Sequence, residues 1–152
     1  SVHGIVEIIE FIKKFQRNLH LFIIGKPNNF CFQEYIRNSS CIDYYGEVNA
    51  NTLSVIYKYM DFGIGAFKME SVDLSEACPL KTREYLENGL PVIVNYYDCA
   101  KDIDEIKAYV IDYDDSQEFI KTLIDYKYDK KILKALSRVY LSWDTLYREV
   151  FK

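Results

Sequence analysis

Two glutamates stand eight positions apart in the segment Glu76-Ala-Cys-Pro-Leu-Lys-Thr-Arg-Glu84-Tyr-Leu-Glu-Asn-Gly89-Leu-Pro91-Val-Ile. Pro79 suits the first turn of a helix and Gly89 its C-terminal stop. Glu76 therefore falls in a loop and Glu84 inside the helix, with the helix N-terminus between them. Free N–H groups and the helix dipole make such a terminus an anion site. A nucleoside diphosphate sugar needs this set of partners. Its pyrophosphate takes backbone donors, while its ribose diol and sugar hydroxyls take carboxylates. Each charge-assisted hydrogen bond of that kind is worth roughly 1.5–3 kcal/mol before desolvation.

Other chemistry-bearing residues have plainer readings. Lys81 lies in the first helical turn, where a cation opposes the dipole and an anionic ligand would relieve it. Lys26 reads as a turn lysine, His3 as a surface histidine near a terminus, and Trp143 as a packing anchor. Asp61 opens a strand, where an acid serves as a cap or loop contact. The acids Asp102, Asp104, Glu105, Asp112, Asp114, Asp115 and Glu118 lack an EF-hand spacing and read as a solvated face. Lys127, Lys130, Lys131, Lys134 and Arg138 read as the solvent side of a helix.

The elements that must position these groups follow from periodicity. Ile5, Ile8, Ile9 and Ile12 fall at i, i+3, i+4, i+7, which predicts a helix over 4–17. Leu19 to Ile24 reads as a buried strand ending at Gly25, and Cys41 to Tyr45 as a second, closed by Gly46. Phe32 to Arg37 is a weak helical pattern. Leu53, Ile56, Tyr57 and Met60 predict a helix that Asn49 or Asn51 caps. Asp61 to Phe67 reads as a third strand, residues 68–78 as a loop, Pro91 to Asn95 as a fourth strand and Ala108 to Asp112 as a fifth. Helical patterns follow at 115–126, 129–141 and 142–151. Strands alternating with helices predict an α/β fold, a doubly wound parallel sheet with flanking helices. Such sheets bind ligands beyond the carboxyl ends of the strands.

Composition narrows the function classes. A chain of 152 residues fits one domain, and with 49% hydrophobic and 28% charged residues it has an ordinary globular composition. The net charge of −4 gives no broad attraction for nucleic acid. Cys31, Cys41, Cys78 and Cys99 contain no CxxC pair, which predicts free thiols in a reducing cytoplasm. No run of 18 apolar residues spans a membrane. The N-terminus enters a helical pattern almost at once, without a leader, as a chain cut from something longer would.

The Glu-x7-Glu spacing followed by Gly89-Leu-Pro91-Val-Ile resembles the signature of the group 1 glycosyltransferases, retaining enzymes of the GT-B fold. Leu21-Phe-Ile-Ile-Gly25, Ile42-Asp-Tyr-Tyr-Gly46-Glu-Val, Tyr59-Met-Asp61-Phe-Gly63-Ile-Gly65 and Leu141-Ser-Trp143 resemble further stations of that family, in family order. The resemblance implies that residues 1–152 form a single nucleotide-sugar-binding domain, Rossmann-like, and that this domain is the C-terminal half of a two-domain enzyme. It implies that Glu84 accepts the ribose hydroxyls and that Glu76 contacts the transferred sugar. The segment Cys78, Pro79, Leu80 and Lys81 would hold the diphosphate through the backbone donors it contains, and Gly46 and Val48 would line the base pocket. No metal or cofactor is implied beyond the nucleoside diphosphate sugar as donor substrate.

The resemblance also implies what lies elsewhere. His3 stands where the family carries a lysine for the diphosphate. The family's arginine, its first strand and its acceptor-binding domain would lie upstream, so this chain alone would bind donor weakly and transfer nothing. The implied process is cell-surface polysaccharide synthesis, with peripheral membrane association through the parent enzyme. Two alternatives remain open at this stage, an epimerase of similar fold and a regulatory α/β domain. The first is disfavoured by having only His3 and His20, the second by the absence of an acidic pair at the end of the first strand.

Overall fold

A computed structural model describes residues 4–26, 36, 39–67 and 76–142. The first helix, α1 (Ile5–Lys14), buries Ile8, Ile9, Phe11 and Ile12, with Glu7 in its first turn and Lys13 and Lys14 in its last, as the dipole favours. It leads to β1 (Leu21–Ile24), which pairs in parallel with β2 (Ile42–Gly46). Next comes α2 (Ala50–Tyr59), capped by Asn49, whose side chain accepts from the Thr52 N–H at 2.9 Å.

The second sheet contains β3 (Gly63–Ile64), β5 (Val92–Val94) and β7 (Val110–Asp112), parallel, with β5 in the middle. A third pairing joins β4 (Glu76–Ala77) to β6 (Tyr97–Asp98), also in parallel. Because β6 begins three residues after β5 ends, this small ribbon lies past the carboxyl end of the main sheet. Between β4 and β5 stands α3 (Leu80–Glu87), and the chain continues through α4 (Gln117–Asp125) and α5 (Lys130–Tyr140). Ser116 caps α4 and Asp129 caps α5.

The sheet separates two apolar layers. Ile93 packs with α1 and α4 through residues such as Ile9, Phe119 and Ile120. Its neighbours Val92 and Val94 point the other way, to Leu86 of α3 and Leu133 of α5. A strand buried on both faces has to be apolar throughout, and Val92–Val94 is.

At the end of α3, Gly89 adopts φ +78. Its N–H donates to the Leu86 carbonyl and the Leu90 N–H to the Tyr85 carbonyl, each at 2.9 Å, which is the Schellman arrangement. A Cβ on Gly89 would lie 2.5 Å from the Lys130 carbonyl oxygen. The glycine therefore serves both the turn and the approach of α5 to α3.

Several expectations are corrected. The third strand shortens from 61–67 to two residues, and residues 76–77 form a strand where a loop was expected. Residues 107–109 form a 3₁₀ turn ahead of β7. Cys78 and Cys99 are joined in a disulfide with Cα atoms 5.6 Å apart, while Cys41 is a free, buried thiol. Lys130 is not solvent-facing. Its ammonium donates to the carbonyls of Lys58 and Met60 at the end of α2. His3, Cys31, Trp143, most of the 32–37 pattern and all but the first residue of the 142–151 helix lie outside the described residues. No described helix is long and apolar enough to cross a membrane.

Gly89→Ala should cost more than Gly46→Ala. Both glycines are left-handed, at φ +78 and +66, but only Gly89 has backbone within 3 Å of the added Cβ. The left-handed strain is about 1–2 kcal/mol in each. Urea unfolding of the two variants should differ by a further margin for Gly89, and equal losses would mean that α3 and α5 do not meet there.

Candidate functional site

The helix α3 starts without a side-chain cap, from Pro79 in extended conformation. Pro79 can accept no capping role through a side chain, so the first N–H groups of the helix rely on the Pro79 carbonyl or on what lies outside. Thr82 and Arg83 N–H reach that carbonyl at 3.1 and 3.4 Å. Leu80 at the start of the helix is exposed.

One and a half turns of α3 carry the charged groups. Lys81 is half-buried, and burial pushes its amine below the usual lysine range. Among the described residues it forms no ion pair. Glu84 accepts a hydrogen bond from the Tyr57 hydroxyl of α2. That phenol is pushed up, chiefly by burial, then by its neighbours Tyr85 and Glu84. The Tyr57 and Tyr85 rings meet edge to face, 5.8 Å between centroids, so α2 and α3 are locked at this level. Tyr85 is itself pushed up to about 12 by burial and by the Glu84 charge.

Lys81 and Glu84 border a cavity of about 740 Å³. Its remaining walls are mostly apolar and include residues of α1, β1, α2, β3, β5 and α4. Gly46, Val48, Cys78, Pro79 and Leu80 do not line it. Gly46 and Val48 sit at the carboxyl end of β2, half-buried, and a Cβ on Gly46 would meet only the Tyr44 hydroxyl, at 3.9 Å. Glu76 lies in β4, where its backbone pairs with Tyr97. Of the sequence-predicted residues that the structure describes, Lys81 and Glu84 share one cavity, while Gly46 ends β2 and Glu76 lies in β4.

Sequence reasoning missed the groups that hold α3 in place. Asp98 is fully buried at the end of β6. Its carboxylate accepts from Arg83 Nη2 at 3.0 Å, from the Ala100 N–H at 2.9 Å and from the Tyr96 hydroxyl at 3.2 Å. Tyr96 in turn is 2.8 Å from the buried Thr82 hydroxyl. Two α3 residues, Thr82 and Arg83, are therefore bound to one short segment after β5. Arg83 Nη2 also approaches Cys78 Sγ at 2.8 Å and Cys99 Sγ at 2.7 Å, so the disulfide shares the same anchor. Arg83 Nη1 is buried without a partner among the described residues. The only sequence signal was the Asp-x-Ala step at Asp98, which suits a side chain bonding the backbone two residues on.

The acids between 102 and 118 are exposed, and several take side-chain partners, among them Lys107 on Asp104 at 2.7 Å, Lys14 on Asp115 at 3.0 Å and Tyr140 on Glu105 at 2.8 Å. His20 bonds Asp43 at 3.0 Å, and the Asp61 carbonyl accepts from Tyr128 at 2.7 Å.

The chain superposes on the crystal structure of AviGT4, a glycosyltransferase involved in avilamycin A biosynthesis, with a TM-score of 0.69 and 17% sequence identity. The match covers 99% of this chain and 46% of that one, so the chain spans less than half the length of that protein. At this identity the likeness establishes the fold alone, a Rossmann-like α/β layer structure. No family model and no curated protein matches the sequence.

Asp98→Ala would leave the Arg83 guanidinium buried and uncompensated, at a cost of about 3–5 kcal/mol in denaturant unfolding. Asp104→Ala, which removes an exposed pair, should leave the midpoint unchanged. Comparable losses in the two would show that the Asp98 carboxylate is not enclosed.

The buried phenols give a pH signature. Tyr57, Tyr85, Tyr96, Tyr113 and Tyr128 are all raised above about 10, the ordinary tyrosine value. Folding favours their neutral forms, so this stability is fully present below pH ~10 and is lost as pH rises through the folded values, about 12 for Tyr85 and Tyr113. Tyrosinate absorbance should lag that of free tyrosine and then appear together with loss of far-UV circular dichroism. A titration at ordinary tyrosine pH with the fold intact would contradict the burial.

Proposed function

We propose that this chain is the donor-binding half of a retaining glycosyltransferase, the C-terminal domain of a group 1 GT-B enzyme. The observation that carries the proposal is that Lys81 and Glu84, on the first turns of an uncapped helix, border one cavity. The Glu76-x7-Glu84 spacing and the fold support the same reading.

In this scheme Glu84, already oriented by Tyr57, accepts the ribose hydroxyls. Glu76 contacts the hydroxyls of the transferred sugar. The diphosphate lies at the α3 N-terminus across Cys78, Pro79, Leu80 and Lys81, and the base lies at Gly46 and Val48. Charge developing on the departing diphosphate is met by the helix dipole, free N–H groups and Lys81, without a metal. His3 would supply a further donor from outside the described residues. Acceptor binding belongs to a separate N-terminal domain, and the setting is cytoplasmic synthesis of a cell-surface polysaccharide. In a reducing compartment Cys78 and Cys99 would stand as two thiols beside Arg83.

Calorimetric titration with UDP, GDP and ADP tests the site. One nucleotide should bind saturably, and Glu84→Ala should weaken it about fivefold or more, the worth of roughly one charged hydrogen bond. Lys81 adds a sign. An anion beside it raises the depressed amine, so binding takes up a proton and affinity falls as pH rises across that window. Nucleotide binding that ignores Glu84→Ala would remove Glu84 from the site.

A further inference from the structure

We infer that Cys78 and Cys99 form a reversible thiol–disulfide switch, opened by a small thiol of the glutathione class that attacks Cys78. The two cysteines follow directly on the last register pair of the β4–β6 ribbon, Ala77 with Asp98, and their Cα atoms stand 5.6 Å apart. They are therefore the next rung of that ribbon, joined covalently. Of the two, Cys78 is exposed and Cys99 half-buried. Arg83 Nη2 lies 2.8 Å from Cys78 Sγ and 2.7 Å from Cys99 Sγ. A disulfide sulfur is a weak acceptor that gains little from a guanidinium, whereas a thiolate gains a great deal. The contact thus favours the opened state. Asp98 shares Nη2 at 3.0 Å, but it also takes the Ala100 N–H and the Tyr96 hydroxyl, so Arg83 is not its sole partner. Arg83 Nη1, buried without a partner among the described residues, is a donor in reserve.

The exchange closes on two electrons. An external thiolate attacks the exposed Cys78 Sγ, forming a mixed disulfide as the Cys78–Cys99 bond breaks. Cys99 leaves as a thiolate beside Arg83, and a stabilised thiolate leaves faster. A second external thiol then attacks the external sulfur of the mixed disulfide and releases Cys78. Two external thiols are oxidised to one disulfide, and their two protons pass to Cys78 and Cys99, or to solvent where Cys99 stays ionised. Oxidised glutathione drives the reverse. What the bond holds is small. Strands β4 and β6 have two residues each, and a ribbon of that length is not stable by itself. Opening therefore frees the ribbon and the Cys78–Pro79 step into α3. The helix itself stays anchored through Thr82 on Tyr96 and Arg83 on Asp98. Neither state needs a bound nucleotide, so the switch stands apart from the donor-site reading.

The test equilibrates the full chain with reduced and oxidised glutathione over graded ratios, then alkylates it and maps each cysteine by mass spectrometry. Cys78 and Cys99 should pass together and reversibly between disulfide and two thiols, while the buried Cys41 stays a thiol throughout. Amide hydrogen exchange in Glu76–Ala77 and Tyr97–Asp98 should quicken about tenfold or more on reduction and recover on reoxidation. In Cys99→Ser, oxidised glutathione should add to Cys78. In Cys78→Ser, its addition to Cys99 should be slower by about tenfold or more, because that sulfur is less accessible. If a serine variant does not fold, the unaltered chain exposed briefly to reduced glutathione and quenched with acid gives the same assignment, with glutathione expected on Cys78. A pair that stays bonded in excess reduced glutathione, thiols that never pair in excess oxidised glutathione, glutathione found first on Cys99, or ribbon exchange indifferent to the bond would each overturn the switch.

Discussion

Moving an isolated carboxylate out of water costs on the order of 20 kcal/mol in the idealised limit, more than the net stability of a whole domain. Asp98 has none of its surface exposed, so the local chain has had to be arranged around it. Three donors from different places meet it, a guanidinium from α3, a phenol two residues before it and a backbone N–H two residues after. Thr82 is drawn in through Tyr96. Because Thr82 and Arg83 flank the first turn of α3, satisfying one buried acid also sets where that helix begins and how it is rotated. Lys81 and Glu84, on the neighbouring face, are placed as a consequence.

That rotation divides the helix by function. Thr82, Arg83 and Leu86 face inward to polar or apolar partners, with Thr82 and Leu86 fully buried. Leu80 is left in water, and Glu84 stands over Tyr57. The mean packing force on this helix is modest, since only two of its eight residues are buried. Charged and hydrogen-bonded contacts therefore carry more of its orientation than apolar area does. Such contacts are directional, which suits a helix that must present a carboxylate at a fixed place.

How much of this was legible in the sequence depends on the range of the interaction. Local signals were read well. The 3.6-residue spacing of isoleucines gave α1, Asn49 gave the start of α2, and Gly89 with Pro91 gave the end of α3 and the start of β5. Two-residue strands such as Glu76–Ala77 carry no periodicity, so they were invisible. Asp98 escaped because its meaning lies in Arg83, 15 positions away, and the Cys78–Cys99 bond escaped because a separation of 21 matches no local motif. The Glu76 and Glu84 spacing was legible as a motif, but the cavity that joins Glu84 to Lys81 depends on strand order, which local pattern does not encode.

The break in strand order bears directly on the site. α2 buries only Tyr57, and its far end is held by Lys130 donating to the carbonyls of Lys58 and Met60. The same Tyr57 hydroxyl that bonds Glu84 belongs to a helix roofing the opening between β1 and β3. Placement of the α3 carboxylate and packing of α2 are in this way joined through a single phenol.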